Sequence, residues 1–171
     1  SPSFFGKDVL KPGYTEIFME YAEVQFLLSE ANGWNQTNYI NGVQASMERW
    51  NIDSDKIDAY VNSLPAASQE NVMTQKYIAL FMQPAESWAE YRRTGYPNTL
   101  LMPGQTAQLN YPTASGDTSY VFTPLIDGLT DLPTRIFYPT NVQTLNTANY
   151  NEAAAALGGD KMDKKLIWDK N

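Results

Sequence analysis

Two apolar-striped segments joined by only four residues constrain this chain more than any other feature. From Tyr14 to Asn32, the residues Ile17, Tyr21, Val24, Leu28 and Ala31 recur at i, i+4, i+7, i+11 and i+14, one stripe along a helix. From Thr37 to Trp50, the residues Ile40, Val43, Met47 and Trp50 line a second helix, with Thr37 or Asn38 as its cap. Gly33 ends the first helix, and the link Gly33-Trp34-Asn35-Gln36 leaves room only for an antiparallel return. The expected unit is a helical hairpin of about 34 residues, the length of a tetratricopeptide repeat. A lone hairpin of this kind cannot bury both of its apolar faces. Further helices in a longer protein, or long loops over the open end, are therefore implied.

More helices follow. Asp53 to Leu64 places Ile57, Tyr60, Val61 and Leu64 on one side and stops at Pro65. Ser68 caps a helix reaching Met82, with Met73, Tyr77, Leu80 and Phe81 facing inward. Pro84 suits the first turn of a helix spanning Ala85 to Arg93, which Gly95 ends and Pro97 keeps from restarting. Helical periodicity is then lost. Residues 96–140 are rich in Pro, Gly, Ser and Thr, with short strands expected at Tyr120-Val121-Phe122 and Arg135-Ile136-Phe137-Tyr138. Asn146 or Thr147 caps a last helix through Leu157, closed by Gly158-Gly159. Before the first helix, residues 1–13 read as an extended lead-in with a turn at Pro12-Gly13.

Composition narrows the chemistry. The 171 residues contain no cysteine and no histidine, which excludes thiol nucleophiles, disulfides, a histidine general base and zinc sites of the usual kind. A net charge of −7 offers no basic face to nucleic acid. No run of about 18 apolar residues is present to span a membrane. The start, Ser1-Pro2-Ser3-Phe4-Phe5-Gly6, lacks both Met and the pattern of a signal peptide, so the chain reads as part of a longer one.

Candidate functional groups divide by their surroundings. Glu16, Glu20, Glu23 and Glu30 share a helix face and, without histidine, read as solvated, with Glu23 or Glu30 pairing an arginine. Trp88, Glu90, Arg92 and Arg93 form a structural cluster, because a buried guanidinium needs a carboxylate or aromatic partner. Glu90–Arg93 has i, i+3 spacing, and Trp88–Arg92 has i, i+4 spacing that places a guanidinium over an indole. Glu86 and Glu90 lie one turn apart on a single helix, so they do not face each other across a glycosidic bond. Trp34, Tyr39 and Trp50 have helical spacing that favours core over sugar stacking. Asn51, Asp53 and Asp55 alternate like half a calcium loop but lack its Gly and its final Glu, so a helix cap is favoured. Tyr96, Tyr111 and Tyr120 stand in the irregular region beside Asn98, Gln105, Gln108, Asn110 and Asp117. Loop tyrosines among amides and carboxylates suit a glycan surface, which combines ring stacking with directed hydrogen bonds. The same rings also serve to anchor loops.

Several runs taken in order add a resemblance. They are Tyr21-Ala22-Glu23-Val24-Gln25-Phe26-Leu27-Leu28-Ser29-Glu30-Ala31, Gly33-Trp34, Tyr39 through Gly42-Val43 to Ser46, and Gln75-Lys76-Tyr77-Ile78-Ala79-Leu80. Then come Trp88-Ala89-Glu90-Tyr91-Arg92-Arg93-Thr94-Gly95-Tyr96-Pro97, Arg135, Tyr138-Pro139, Asn146, Gly158-Gly159-Asp160 and Lys165-Leu166-Ile167-Trp168-Asp169. Together they resemble the C-terminal part of the SusD/RagB family of nutrient-binding outer-membrane lipoproteins. Two departures are Val142, where the family usually carries a carboxylate, and a final aromatic pair reduced to Ile167-Trp168.

The resemblance implies a mostly α fold, a SusD-like α/α tetratricopeptide-type helical repeat scaffold with long irregular loops and little β. It divides the chain into a helical repeat-type core (14–95), a loop-rich region (96–140) and a C-terminal helix and tail (141–171). The implied protein is no enzyme and has no cofactor or metal. It captures an oligosaccharide or other nutrient at the cell surface. It then delivers the ligand to a SusC-like TonB-dependent transporter in the outer membrane, its lipid anchor and signal peptide lying outside this segment. The alternatives from the residues alone are a helical-repeat scaffold that binds a protein without a small-molecule ligand, and a carboxylate-dependent glycosidase.

Overall fold

Phe26 and Gly42 decide how the first two helices meet. The computed structural model describes residues 5–7 and 9–169, and the notion of a signal-free start falls largely on residues outside that range. Helices α1 (Tyr21–Ala31) and α2 (Gln36–Arg49) pack as the expected hairpin. The Phe26 ring is fully buried and lies where a Cβ on Gly42 would stand 2.7 Å from it. The face of α1 turned inward is therefore Ala22, Gln25, Phe26 and Ser29. Gln25 accepts a hydrogen bond from Asn38 Nδ2 at 2.8 Å, and Ser29 Oγ donates to the Asn35 carbonyl at 2.8 Å.

This corrects the stripe expected from spacing, since Tyr21 and Leu28 point outward, 63% and 41% exposed. The helix is apolar on both sides, and close contact with α2 selects the side bearing small residues and one phenylalanine. Its start is also later than Tyr14. Arg49 pairs with Glu20 and donates to the Tyr14 hydroxyl at 3.1 Å. In a helix, residues six apart lie about 120° apart around the axis and about 9 Å along it, a poor arrangement for reaching one guanidinium. Residues 14–20 stay irregular instead.

Asn35, and neither Thr37 nor Asn38, caps α2, its Oδ1 accepting from Asn38 N at 3.0 Å. Trp34 and Gly33 both take left-handed backbone, φ 65° and 67°, to make the reversal. Helix α3 (Ser54–Ser63) packs on α2, and α4 (Gln69–Ala79), capped by Ser68, packs on α1 and α2. Val72, Met73, Lys76 and Ala79 are its buried positions; Leu80, just past its end, is buried too, while Phe81 is half exposed. α4 stops short of the expected Met82, which has φ 76° and turns the chain into α5 (Pro84–Thr94).

The chain divides into two compact units after Tyr91, within α5. The second unit holds a two-stranded antiparallel sheet of β1 (Thr106–Gln108) and β2 (Ser119–Val121), then α6 (Thr140–Leu145) and α7 (Thr147–Ala156). The strand near Tyr120 is present. The strand expected at Arg135–Tyr138 is not, because that segment is tied to the C-terminal tail. Thr134 N and Arg135 N both donate to the Met162 carbonyl, at 2.8 and 3.3 Å. Asn146 precedes α7 but binds the Asn149 side chain at 2.8 Å and caps no backbone N–H. Gly158 and Gly159, φ 73° and 117°, close α7 through bonds to the Ala155 and Ala154 carbonyls.

Candidate functional site

The β1–β2 hairpin carries two of the three candidate tyrosines. Its register pairs Thr106 with Val121, Ala107 with Tyr120 and Gln108 with Ser119. Bonds beyond the strands lengthen it: Gly104 N to Phe122 O at 2.8 Å, Phe122 N to Gln105 O at 3.0 Å and Leu109 N to Thr118 O at 2.9 Å. Strand alternation puts Tyr120 and Phe122 on one face with Ala107 and Leu109, and leaves Val121, Thr106 and Gln108 on the other. Tyr120 is half exposed, and Tyr111, nearer the tip, is 82% exposed.

The tip is tied internally. Thr113 N donates to the Asp117 carbonyl at 2.9 Å, and Asp117 N to Thr113 Oγ1 at 3.0 Å. The Asp117 carboxylate accepts from Ser115 at 2.5 Å and Thr113 at 3.0 Å. Those bonds, Ser115's foremost, hold its carboxyl below the usual range. An ordered tip lets Tyr111 face solvent without the loop collapsing onto it. Tyr96 is different: half-buried, it follows Gly95 (φ 74°), and its N–H donates to Thr94 Oγ1 at 3.2 Å. Among the described residues no two of Tyr96, Tyr111 and Tyr120 stack on each other.

Two charged residues of the cluster read around α5 have partners on other segments. Glu90 pairs with Lys76 at 3.2 Å, and the Lys76 side chain is only 2% exposed. Glu23 belongs to the same buried group and is not solvated. Burial pushes its carboxyl up, Lys76 pulls it down, and Glu86, Glu90 and Glu20 oppose that pull. Lys76 is thus the cation that acts on Glu23, and Glu20 pairs with an arginine, Arg49. In the second unit Arg92 meets the buried Asp169 at 3.8 Å, with Lys165 at 3.9 Å from the same carboxylate. Trp88 is half-buried and Arg93 exposed.

Sequence reasoning did not join the residues of a second polar centre, around Asp160. Asp160 accepts from Arg135 Nη1 at 2.6 Å, Tyr138 N at 3.3 Å, Gln143 Nε2 at 3.4 Å and Tyr150 OH at 3.3 Å. The Arg135 guanidinium also lies 4.7 Å from the Tyr138 ring centroid. Arg135, Tyr138 and Asp160 stand among the runs that carry the family resemblance, but nothing local pairs an arginine with an acid 25 residues away. Of the remaining candidates, Tyr39 is core at 1% exposure, and Trp34 and Trp50 are half-buried. Asp53 sits at the start of α3 but binds Lys56 at 2.7 Å in place of a backbone N–H. Among the described residues no group of three or more acidic side chains stands close enough to hold a metal ion, and no helix is long and apolar enough to cross a membrane.

Comparison with known proteins places this arrangement. Residues 6–115 match the family described as starch-binding, associating with the outer membrane. Residues 65–169 match the SusD and RagB outer membrane lipoprotein family. Among solved structures, a SusD-like protein of Bacteroidetes is 30% identical, covering 91% of this chain and 30% of its own, with a TM-score of 0.70. A structure described as a chitin-binding protein is 30% identical over 88% of this chain and 33% of its own, with a TM-score of 0.64. A SusD homologue from Bacteroides fragilis is 27% identical over 87% and 34%, with a TM-score of 0.63. The chain spans about a third of the length of these solved relatives. No curated protein matches it in sequence. Two family matches that overlap and together run from residue 6 to residue 169, on a helical frame shared with solved homologues, make this chain a member of the SusD/RagB family.

Proposed function

We propose that this chain is part of a cell-surface binding protein that captures an oligosaccharide and delivers it to a SusC-like TonB-dependent transporter. The protein binds and releases without breaking bonds. It sits on the outer membrane through a lipid anchor outside this segment. The observation that carries the reading is family membership across both units, and the relative described as chitin-binding supports a glycan as the ligand class.

Within this chain the sugar contact is assigned to the hairpin tyrosines. Tyr111 is 82% exposed on a tip held by Thr113, Ser115 and Asp117, and Tyr120 stands half exposed on β2. An exposed phenol offers an apolar face to the C–H side of a pyranose and a hydroxyl to its rim. Tyr96, being half-buried, has the smaller share. The cluster of Trp88, Glu90, Arg92 and Arg93 holds the frame.

The test is a glycan-array screen of the intact protein, followed by titration of any hit against Tyr111→Ala and Tyr120→Ala. Loss of about 1–2 kcal/mol of affinity on removing Tyr111, a factor of roughly 5–30, is expected. Unchanged affinity in both variants removes the hairpin from the site, and turnover of any oligosaccharide overturns the binding role. Co-purification with a TonB-dependent transporter tests delivery.

A further inference from the structure

In the first unit a cleft of about 240 Å³ opens between the segment before α1 and the C-terminal end of α2. Lys11, Tyr14, Thr15, Arg49, Trp50 and Asn51 give it its character. Among the described residues no carboxylate lines it, on a chain carrying 19 acidic and 12 basic residues. Arg49 is balanced by its ion pair with Glu20, which leaves the exposed Lys11 as the cation that gives the lining its excess charge.

The walls are held in place. Arg49 pairs with Glu20 and donates to Tyr14 OH at 3.1 Å, tying the two sides of the cleft together. Its guanidinium lies 4.8 Å from the Trp50 ring centroid, and Trp50 backs onto Phe81 at 5.7 Å. Gly13 and Asn51, φ 77° and 53°, turn the backbone at the rim. Helix α2 ends here, and the end of a helix normally repels anions. Its last carbonyls are occupied, however: Met47 O accepts from Trp50 N at 3.1 Å, and Glu48 O from Asn51 N at 2.9 Å. The Arg49 charge in the same turn is met by Glu20, and the exposed Lys11 has no carboxylate within ion-pair distance among the described residues.

Two aromatic side chains, a hydroxyl, an amide, the Lys11 ammonium and the remaining N–H donors of the paired Arg49 guanidinium around a space of this size fit one sugar ring bearing a carboxylate. We propose that this cleft binds a hexuronic acid residue, as a sugar site separate from the tyrosine hairpin. The carboxylate meets Lys11 and Arg49, the ring hydroxyls meet Thr15 and Asn51, and the apolar ring edge lies against Tyr14 and Trp50. Only the ligand class rests on the glycan-binding reading; the charge preference rests on the cleft.

The test uses the whole chain with fluorinated tryptophan, the Trp50 resonance being assigned with Trp50→Phe. Galacturonic acid and galactose are titrated separately while fluorine NMR is recorded. Galacturonic acid is expected to shift Trp50 at a concentration about tenfold below galactose, a preference of about 1.4 kcal/mol. Lys11→Glu and Lys11→Met are expected to abolish that preference, with the other tryptophan resonances reporting an intact fold. Equal response to both sugars, a silent Trp50, or a preference that survives Lys11→Glu overturns the proposal. Tyr111→Ala in the same titration separates the two sites. Neutral glycan lost on that substitution with Trp50 silent throughout sinks this cleft alone, whereas an intact Trp50 response with no hairpin effect sinks the hairpin alone.

Discussion

Asp160 gathers the Arg135 guanidinium, the Tyr138 N–H, the Gln143 amide and the Tyr150 hydroxyl on one carboxylate. Burial pushes this carboxyl up, but the bonds from Arg135 and Tyr138 prevail and hold it below the ordinary value. A carboxyl whose folded pKa is depressed stabilises the fold above its unfolded pKa, and that stability is lost as pH falls through the folded one. Asp160→Ala is therefore expected to cost about 3–5 kcal/mol at pH 7, since it strands a buried guanidinium. Urea titrations at pH 7 and near pH 3 should show that cost shrinking in acid. Glu23 has the opposite sign. Its folded pKa is raised, so the protonated form is favoured on folding. Its contribution is fully present below the unfolded pKa and lost as pH rises through the folded value. Glu23→Gln should raise the melting temperature by about 2–4 °C at pH 7, equivalent to about 1 kcal/mol in a chain of this size, and by less below about pH 4. A lower melting temperature at pH 7 would mean that the carboxylate's pairing with Lys76 outweighs its desolvation.

The α1–α2 hairpin shows what a single glycine does for an element. Alanine at position 42 favours a helix by about 1 kcal/mol, yet its Cβ would stand 2.7–2.9 Å from three atoms of the Phe26 ring. Phe26 is fully buried. Gly42→Ala should therefore destabilise by about 1–3 kcal/mol, as overpacked cores do. A thermal melt of the variant checks this, and a stabilised variant would mean that the helices separate easily. The Asn35 cap offers a gentler perturbation: Asn35→Ala leaves Asn38 N without its 3.0 Å partner and should cost about 1 kcal/mol in a denaturant titration.

Across the whole chain, many large apolar side chains face outward. Phe18, Leu125, Leu145 and Trp168 are 91%, 104%, 86% and 71% exposed. Exposed apolar surface on this scale marks interaction sites or aggregation-prone faces. The chain on its own is expected to bind an apolar fluorescent dye and to self-associate with rising concentration, measured by sedimentation. Phe18→Ser combined with Leu145→Ser should weaken that association without lowering the melting temperature, because neither side chain is buried.

Reading along the chain found the helical hairpin, the order of α1 to α5 and the strand at Tyr120, because each is encoded by local period, caps and breakers. It also found the irregular region that carries Tyr111 and Tyr120. Local signals did not tell which face of α1 is covered, since Leu28 and Phe26 are equally apolar and only the approach of Gly42 selects between them. Nor did they pair Lys76 with Glu90 or Arg135 with Asp160. A charge attracts any opposite charge within reach, and which one that is depends on how segments far apart in sequence are brought together. Periodicity is a property of neighbours along the chain, and partner choice is a property of neighbours in space. The first was legible in the residues of this protein, and the second was decided by its tertiary structure.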